Sequence, residues 1–296
     1  MNEILFAVLG AAIFLIAAPF AGGILAGIDR ILTARMQSRV GPPLLQPFYD
    51  VAKLWHKEKA FANPVEGFMT AGYLIFIAAA GAVFGAGGNL LLVVFTLALA
   101  HTFLIVAAYA ANAPYSHVGA ERELISVMIA EPLLILLAAG FFMIFGTFAV
   151  NEMFCASGLP AVAYLPGVFL TLFAILTLKM RKSPFDISTS HHAHQELVKG
   201  VTASLSGKTL AKVEIAHWYE TVLLLAMIVL FFGGSPLMLA IGVIVALLCY
   251  FLEIIIDNVY PRVTWKMTVK FLWAVTIILC VLNLCVIGVL QIGGIL

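Results

Sequence analysis

Ionisable side chains occur at a few points within long apolar stretches of this sequence, where a charge is costly. The group comprises Glu131, His217, Glu220, Glu253 and Asp257. Removal from water disfavours the charged form of a carboxyl group, so such a group can take up or release a proton when a nearby charge changes. The chemistry that these residues offer is proton transfer at membrane depth.

Some of these positions have simpler interpretations. Glu253 and Asp257 are four residues apart, on one helix face, and an alternative for them is an interfacial ion pair with Arg262 or Lys266. His101, near the middle of another apolar stretch, is more typical of a hydrogen bond between helices than of a ligand.

The composition shows why the placement of charge is informative. Of the 296 residues, 63% are hydrophobic and 10% are charged, against roughly 25% charged residues in soluble domains. This excludes a water-soluble globule. The 16 basic and 15 acidic residues nearly cancel, so no basic field favours nucleic acid. The four cysteines show no C-x-x-C spacing, and we expect no iron–sulfur cluster on this chain.

Eight apolar stretches are near the roughly 20 residues that a helix needs to cross a bilayer. They are residues 4–28, 68–86, 90–111, 124–150, 160–178, 215–232, 237–256 and 271–294. No long alternation of apolar and polar residues suggests a β-barrel. The sequence therefore predicts an all-α integral membrane protein with eight transmembrane helices in one domain, residues 1–296.

The basic residues predict the orientation of these helices. The first, third, fifth and seventh loops hold 6, 1, 6 and 3 of the 16 Lys and Arg residues, and the even-numbered loops hold none. By the positive-inside rule the odd loops are cytoplasmic and both termini lie outside. The first apolar stretch lacks a basic segment before it, so we interpret it as a retained span rather than a signal peptide.

Two cytoplasmic loops, residues 29–67 and 179–214, are long enough to dock a partner. In the first, Gly41-Pro42-Pro43 breaks the chain. Apolar residues then recur at helical spacing, with charges on another face, which predicts an amphipathic helix on the membrane surface. The apolar residues are Leu44, Leu45, Phe48, Val51, Leu54 and Trp55, and the charged ones are Asp50, Lys53 and Lys57.

The second long loop contains a group of histidines. Ser183-Pro184 predicts a turn, and a short helix is expected from about His191 to Gly200. His191, His192 and His194 suggest a metal site, but the local sequence lacks clear further ligands. We therefore favour polar residues that line a cavity leading to Glu131 and Glu220, and we predict no metal site.

Two motifs in these loops resemble a known family. They are Arg39-Val-Gly-Pro42, followed by Leu-Leu-Gln and by Lys-Leu-x-x-Lys-Glu, and Ser183-Pro-Phe-Asp186, followed by Glu196-Leu-Val-x-Gly200. Both are similar to the eight-helix membrane subunit of respiratory complex I that forms the quinone chamber, the subunit 1/H type. The resemblance covers essentially the whole chain.

Departures from that pattern indicate a branch of the family. The chain runs directly from Pro43 to Leu44, without the extra residues usual in complex I. The stretches 186–196, 206–209 and 214–220 are similar to the membrane subunit of Ech-type energy-converting [NiFe] hydrogenases. Where relatives often have an acidic residue before Ser206-Gly207, this chain has Ala203-Ser204.

The resemblance implies a role divided among subunits. Partners would be the hydrogenase large and small subunits, an iron–sulfur subunit and an antiporter-like membrane subunit, with NiFe and [4Fe-4S] centres on the soluble partners and ferredoxin as electron donor. The relay residues would be Glu131, Asp186, Glu196, His217, Glu220, Glu253 and Asp257. The docking residues would be Arg39, Gly41, Pro42, Gln46, Asp50, Lys53, Pro184 and Phe185.

Under this hypothesis the chain holds no redox centre and couples ferredoxin-linked hydrogen chemistry to H⁺ or Na⁺ movement across a prokaryotic cell membrane. Three alternatives remain open. One is a quinone-site subunit of a complex I relative, and another is a passive membrane anchor. A stand-alone transporter is disfavoured, because no internal repeat is visible and no Lys or Arg lies inside a predicted span.

Overall fold

The computed structural model describes residues 2–58, 63–111, 113–156, 158–185, 188 and 197–293. Within these ranges the regular structure is helical and contains no strand, as the sequence predicted. The helices are α1 (Asn2–Met36), α2 (Gln46–His56), α3 (Pro64–Gly85), α4 (Leu90–Ala110), α5 (Pro114–Phe145), α6 (Val150–Cys155), α7 (Ala161–Tyr164), α8 (Pro166–Lys179), α9 (Lys208–Leu230), α10 (Pro236–Val259), α11 (Trp265–Val275) and α12 (Leu282–Ile292).

Seven helices of the described chain are long and apolar enough to cross a membrane, where the sequence predicted eight. They are α1, α3, α4, α5, α9, α10 and the continuous α11–α12 unit, which is joined by a π-helical turn at Thr276–Val281. The predicted span 160–178 is divided into α7 and the 14-residue α8. At 1.5 Å per residue α8 is about 21 Å long, short of the hydrocarbon thickness.

The division between α7 and α8 has a local cause. Pro166 begins α8, and its ring and missing N–H prevent a helix from continuing through it from α7. Asn283 of α12 forms hydrogen bonds with two backbone groups at this break. Its side-chain oxygen accepts from the Gly167 N–H at 3.2 Å, and its amide donates to the Tyr164 carbonyl at 3.1 Å. Hydropathy alone does not detect such a break.

Two helices extend well beyond their apolar stretches. The first continues to Met36 rather than ending at residue 28, and α5 begins at Pro114 rather than at residue 124. Hydropathy locates only the part of a helix that faces lipid, whereas the backbone hydrogen bonds continue through polar residues. As a result Asp29 and Glu123, assigned to loops from sequence, belong to helices.

The predicted amphipathic helix is present as α2. Phe48 packs on α1 at Gly23, where an added Cβ would lie 2.4 Å from the Phe48 ring. The same ring stacks with Phe20 of α1 and contacts Trp218 of α9. This aromatic packing fixes α2 against α1 and α9.

The fifth loop returns to the helix bundle after the basic residues that follow α8. The predicted turn at Ser183-Pro184 is present. The helix expected from His191 lies outside the described residues, and the chain is described again from Leu197, with a 3-10 turn at Gly200–Thr202. Gly119 of α5 allows this turn to pack closely, since a Cβ there would lie 2.4 Å from the Val201 nitrogen.

Candidate functional site

The turn after α8 directs three basic side chains into the interior, and we call residues Lys179 to Lys182 the basic turn. The Lys182 N–H donates to the Thr177 carbonyl and the Arg181 N–H to the Leu178 carbonyl, both at 3.1 Å. This is the Schellman pattern of a helix C-terminus. Arg181 has φ +55°, the left-handed conformation that glycine usually adopts there. The contacts of the Arg181 side chain with Glu123 and His217 offset the backbone strain at this position.

Arg181 binds the first of several buried carboxylates. Its guanidinium donates to Glu123 of α5 at 3.1 Å and also to Nε2 of His217. The Ser188 hydroxyl donates to the other Glu123 oxygen. Burial disfavours a charged guanidinium, but the adjacent charge of Glu123, with Tyr73, outweighs this effect and holds the pKa of Arg181 above its ordinary value.

Lys179 extends toward α4 and α5. Its ammonium lies 3.7 Å from Glu131 of α5 and 3.3 Å from Nε2 of His101 of α4. Glu220 of α9 approaches the same nitrogen, with Oε1 2.9 Å from Nε2, and its other oxygen accepts from the Tyr73 hydroxyl at 3.3 Å. Basic and acidic groups from five parts of the chain thus meet in the interior.

We call this group the central cluster. Its members come from α3, α4, α5, the basic turn and α9. They are Tyr73, His101, Glu123, Glu131, Lys179, Arg181, His217 and Glu220. Each of its three carboxylates lies within salt-bridge distance of a basic side chain. A buried charge without such a partner would cost several kcal/mol.

His101 is the point in this cluster where a proton can change the bonding. Its Nδ1 lies 2.9 Å from the Leu97 carbonyl, which only accepts, so Nδ1 carries a hydrogen. Nε2 faces both Lys179 and Glu220. A neutral ring accepts a hydrogen bond from Lys179 at Nε2, whereas a protonated ring donates from Nε2 to Glu220. The partner of this nitrogen therefore depends on its protonation.

Lys182 points away from the central cluster, toward α1 and α10. Its ammonium lies 3.0 Å from Asp29 of α1 and 5.0 Å from the centre of the Tyr250 ring, a cation–π distance. The Tyr250 hydroxyl donates to the Leu25 carbonyl of α1 at 3.0 Å. The basic turn therefore binds two different groups of side chains.

Two further carboxylates belong to this second group. Glu253 is fully buried, and its Oε1 accepts from the Thr177 hydroxyl at 3.2 Å, while Oε2 has no hydrogen-bond partner among the described residues. Asp257 accepts from the Ser183 N–H at 2.9 Å. The lateral cluster, as we call it, comprises Asp29, Thr177, Lys182, Ser183, Tyr250, Glu253 and Asp257.

The sequence-predicted relay residues are thus divided between two sites. Glu131, His217 and Glu220 lie in the central cluster, and the predicted contact of His101 across the bundle is present. Glu253 and Asp257 lie in the lateral cluster, bonded to residues on either side of the basic turn. Five predicted positions, Asp186, His191, His192, His194 and Glu196, lie outside the described residues.

The predicted docking residues have mixed positions. Arg39 is exposed, and its guanidinium donates to the Gln37 side chain. Gly41 and Pro42 come shortly after it in the chain. Lys53 is exposed on α2. Pro184 and Phe185 are held inside the chain: the Pro184 carbonyl accepts from Val263, and buried Phe185 stacks on Phe271. Burial of this ring against Phe271 is typical of an aromatic side chain beside an apolar core, and the docking role of Phe185 stays a prediction.

Asp50 fixes α2 to α1, and Gln46 of α2 bonds to the same carboxylate. Asp50 accepts from Arg30 of α1 and, at 2.9 Å, from Gln46. Partial burial opposes ionisation of Asp50, but its hydrogen bonds with Arg30 and Gln46 and the Arg30 charge outweigh that effect and lower the pKa of this carboxyl below its usual value.

Sequence reasoning missed the residues that neutralise the acids. Lys179, Arg181 and Lys182 were assigned to a cytoplasmic loop, yet their side chains are largely buried. Glu123 was also assigned to a loop. A signal existed, since three basic residues within four positions directly follow an apolar helix, where they complement its C-terminal dipole. These basic residues predict a C-terminal cap of the helix, but they do not predict that their side chains face the interior.

The described residues contain no group of three or more His, Cys, Asp or Glu side chains that could hold a metal ion. The carboxylates are instead held by basic and hydroxyl groups. The arrangement can hold and transfer protons.

The fold and the buried charge clusters define a polytopic membrane protein with an ionisable interior, and comparison with known proteins identifies its family. A family model described as NADH dehydrogenase matches residues 9–288. The chain belongs to this family, the subunit 1/H family of complex I, as its loop motifs indicated.

Relatives include subunits of two kinds of complex. Hydrogenase-4 component C of Escherichia coli (strain K12) is 27% identical over 233 residues, 73% of this chain and 70% of that protein. Formate hydrogenlyase subunit 4 of the same organism is 23% identical over 281 residues, 85% of this chain and 89% of that protein. The H-type subunit of the NADH-quinone oxidoreductase of Aquifex aeolicus (strain VF5) is 27% identical over 246 residues, 72% of each protein.

A solved structure shares the fold. A chain of the membrane-bound sulfane sulfur reductase, an archaeal respiratory membrane complex, matches with a TM-score of 0.84 and 24% identity, covering 95% of this chain and 99% of that chain. The protein is thus a multi-pass membrane subunit of an oxidoreductase family that includes hydrogenase and NADH-quinone oxidoreductase subunits.

Proposed function

We propose that this chain is the membrane subunit of an ion-translocating, energy-converting [NiFe] hydrogenase complex in a prokaryotic cell membrane. The similarity to hydrogenase-4 component C and formate hydrogenlyase subunit 4 supports this assignment. So does the resemblance of residues 186–196, 206–209 and 214–220 to Ech-type hydrogenase subunits. Family membership alone does not distinguish a hydrogenase subunit from a quinone-site subunit, since NADH-quinone oxidoreductase subunits also belong to the family.

The central cluster is the observation that carries the coupling role. Buried carboxylates faced by basic groups are expensive to assemble, and a membrane anchor needs only apolar helices. At His101, one hydrogen lies between Nε2 and Glu220 when either group is protonated, and Lys179 competes for the same nitrogen. A change of charge nearby can therefore move a proton within the cluster.

The proposed direction of coupling follows from the position of the basic turn. Its backbone joins the central and lateral clusters, because Lys179 and Arg181 bind one group of acids while Lys182 binds the other. In this proposal a redox step in docked soluble subunits alters charge near Asp186 and Glu196. The protonation of the central-cluster residues Glu131, His217 and Glu220 then changes. The lateral-cluster acids Glu253 and Asp257 transmit this change of charge to an antiporter-like membrane subunit.

The proposed partners dock on the cytoplasmic side. Loops 29–67 and 179–214, which carry most of the basic residues, would receive the hydrogenase large and small subunits and the iron–sulfur subunit. Those partners would hold the NiFe and [4Fe-4S] centres and take electrons from ferredoxin. The proposed topology has eight crossings, with α7 and α8 as the fifth and both termini outside.

Purification with identification of the subunits tests this proposal. The full-length chain, tagged and isolated from its native membrane in mild detergent, is expected to bring with it a nickel–iron subunit and to give ferredoxin-dependent hydrogen production. Recovery with a quinone-reducing module and no nickel–iron subunit would overturn the assignment. That outcome would support the second candidate, a quinone-site subunit, which the similarity to the NADH-quinone oxidoreductase of Aquifex aeolicus favours.

A single substitution separates coupling from passive anchoring. Glu131→Gln removes a charge that faces Lys179 but keeps the side-chain volume. We expect the complex to assemble and to produce hydrogen, while ion movement into proteoliposomes falls at least tenfold. Ion movement equal to that of the wild type in the assembled variant would support an anchor and exclude a relay role for Glu131.

A further inference from the structure

A long groove runs along the membrane face of α1, away from both charge clusters. Its volume is about 1000 Å³. One wall is α1 from Phe6 to Ala21, and the other walls are the end of α3, the start of α6 and Val222 of α9. Apolar and small side chains line most of its length, while Asn151 and Glu152 stand at one end.

The length and the volume of the groove match an extended alkyl chain. The stretch of α1 that lines it is about 22 Å long, at 1.5 Å per residue. Sites for small ligands range up to about 1000 Å³. An alkyl chain of a lipid fits the length, the volume and the apolar lining.

The polar end of the groove selects the headgroup. Glu152 is exposed at this end, and Asn151 beside it offers a side-chain amide. The sequence between α5 and α8 contains Glu152 as its one charged residue, and the α3–α4 and α9–α10 connections contain no Lys or Arg. Among these connections an anionic headgroup would meet only the like charge of Glu152, whereas an ammonium group would find an acidic partner.

We propose that this groove binds one phospholipid with an amine headgroup, phosphatidylethanolamine, with an acyl chain along α1 and the ammonium group at Glu152. The lipid would complete the packing of α1. That helix touches the bundle at a few points, with Gly10 against Gly85 and Phe14 against Gly81, and most of its apolar surface is exposed. A ligand that binds only the folded chain also stabilises it.

Native mass spectrometry of the purified full-length chain tests this proposal. The detergent-solubilised chain is given equal amounts of phosphatidylethanolamine and phosphatidylglycerol. We expect one retained lipid, predominantly phosphatidylethanolamine. Ala17→Phe fills the groove from α1 and should reduce the retained lipid at least fivefold. Ala240→Phe, at an exposed alanine of α10 outside the groove, should leave the retained lipid unchanged.

A separate substitution tests the contact between the headgroup and Glu152. Glu152→Gln should retain a lipid but reduce the preference for phosphatidylethanolamine about two- to fivefold, the range for one exposed ion pair. An unchanged preference would overturn the role of Glu152. Thermal unfolding of each variant checks its folding, and Ala21→Phe replaces Ala17→Phe if that variant misfolds.

Three results would overturn the lipid site itself. One is a wild-type chain that retains no lipid, and another is equal retention by the Ala17→Phe and Ala240→Phe chains. The third is a polypeptide that co-purifies with the wild type and is released by Ala17→Phe, which would assign the groove to a partner helix.

Discussion

The central and lateral clusters differ in the groups that bind their buried acids. Both hold acids in the interior of a membrane protein, and both are bound by the basic turn. In the central cluster every carboxylate faces a basic side chain. In the lateral cluster Lys182 pairs with Asp29, while Glu253 faces the Thr177 hydroxyl.

The difference indicates separate roles. Removal of the cation from a buried ion pair leaves its carboxylate uncompensated, so loss of Arg181 should cost more stability than loss of Lys182. Glu253 has no cation within salt-bridge distance among the described residues, so its proton can change without breaking an ion pair. Two adjacent basic residues, Arg181 and Lys182, reach the two clusters and allow a direct comparison.

The largest expected effect is at Arg181. Arg181→Ala leaves Glu123 buried without its cation, a loss of about 3–5 kcal/mol. We expect the full-length chain to lose its folded, monodisperse form at a clearly lower temperature, measured by size-exclusion chromatography after heating. Arg181→Lys keeps the charge and should recover part of this stability. A melting temperature of Arg181→Ala equal to the wild type would show that Glu123 does not depend on this pair.

The matched change in the lateral cluster should be milder. Lys182→Met removes an ion pair with partly exposed Asp29 and the contact with Tyr250, together worth about 1–2 kcal/mol. The same heating assay should place Lys182→Met between the wild type and Arg181→Ala. A loss as large as that of Arg181→Ala would remove the distinction between the two clusters.

Glu253→Gln should separate stability from transport. The glutamine keeps the volume and its carbonyl oxygen still accepts from Thr177, so we expect a smaller loss of stability than for Lys182→Met. Ion movement by the assembled complex in proteoliposomes should fall at least tenfold, because glutamine cannot exchange a proton. Thr177→Val serves as the control for the hydrogen bond alone. Wild-type transport by Glu253→Gln would exclude this residue from the relay.

The smallest effect is expected at an exposed pair outside both clusters. Asp50 has a lowered pKa beside Arg30, so the pair stabilises the fold at pH values above the usual aspartate pKa of about 3.9. That contribution is lost as the pH falls through the lowered value. Asp50→Asn should therefore reduce stability by less than about 1 kcal/mol at pH 7. The difference from wild type should shrink as the pH falls below the usual aspartate value, and a difference that does not change with pH would indicate a packing effect.

The fold was largely predictable because lipid imposes a simple rule. Long apolar stretches become helices, since backbone groups in hydrocarbon must bond internally. The amphipathic pattern of residues 44–55 also predicted α2. The break at Pro166 was not predicted, although a proline between two apolar segments was visible in the sequence. A hydropathy window averages over such a residue, and the Asn283 contacts that stabilise the break are distant in sequence.

The candidate site was predictable in the acids that lie within apolar stretches, but not in Asp29, Glu123 or the three buried cations. Glu131, Glu220 and Glu253 stand out because their neighbours are apolar. Lys179, Arg181 and Lys182 lie among polar loop residues, and there a basic side chain normally faces water. Their inward direction results from the left-handed conformation at Arg181 and from acids on α1 and α5.

The sequence by itself determined that this chain lies in a membrane, which acids interrupt its apolar stretches, and to which family it belongs. These properties depend on composition and local pattern, which act over a few turns of helix. Only the tertiary structure decided which acid meets which base. Pairing in a buried site depends on the crossing of helices that are more than a hundred residues apart, as Tyr73 and Glu220 are.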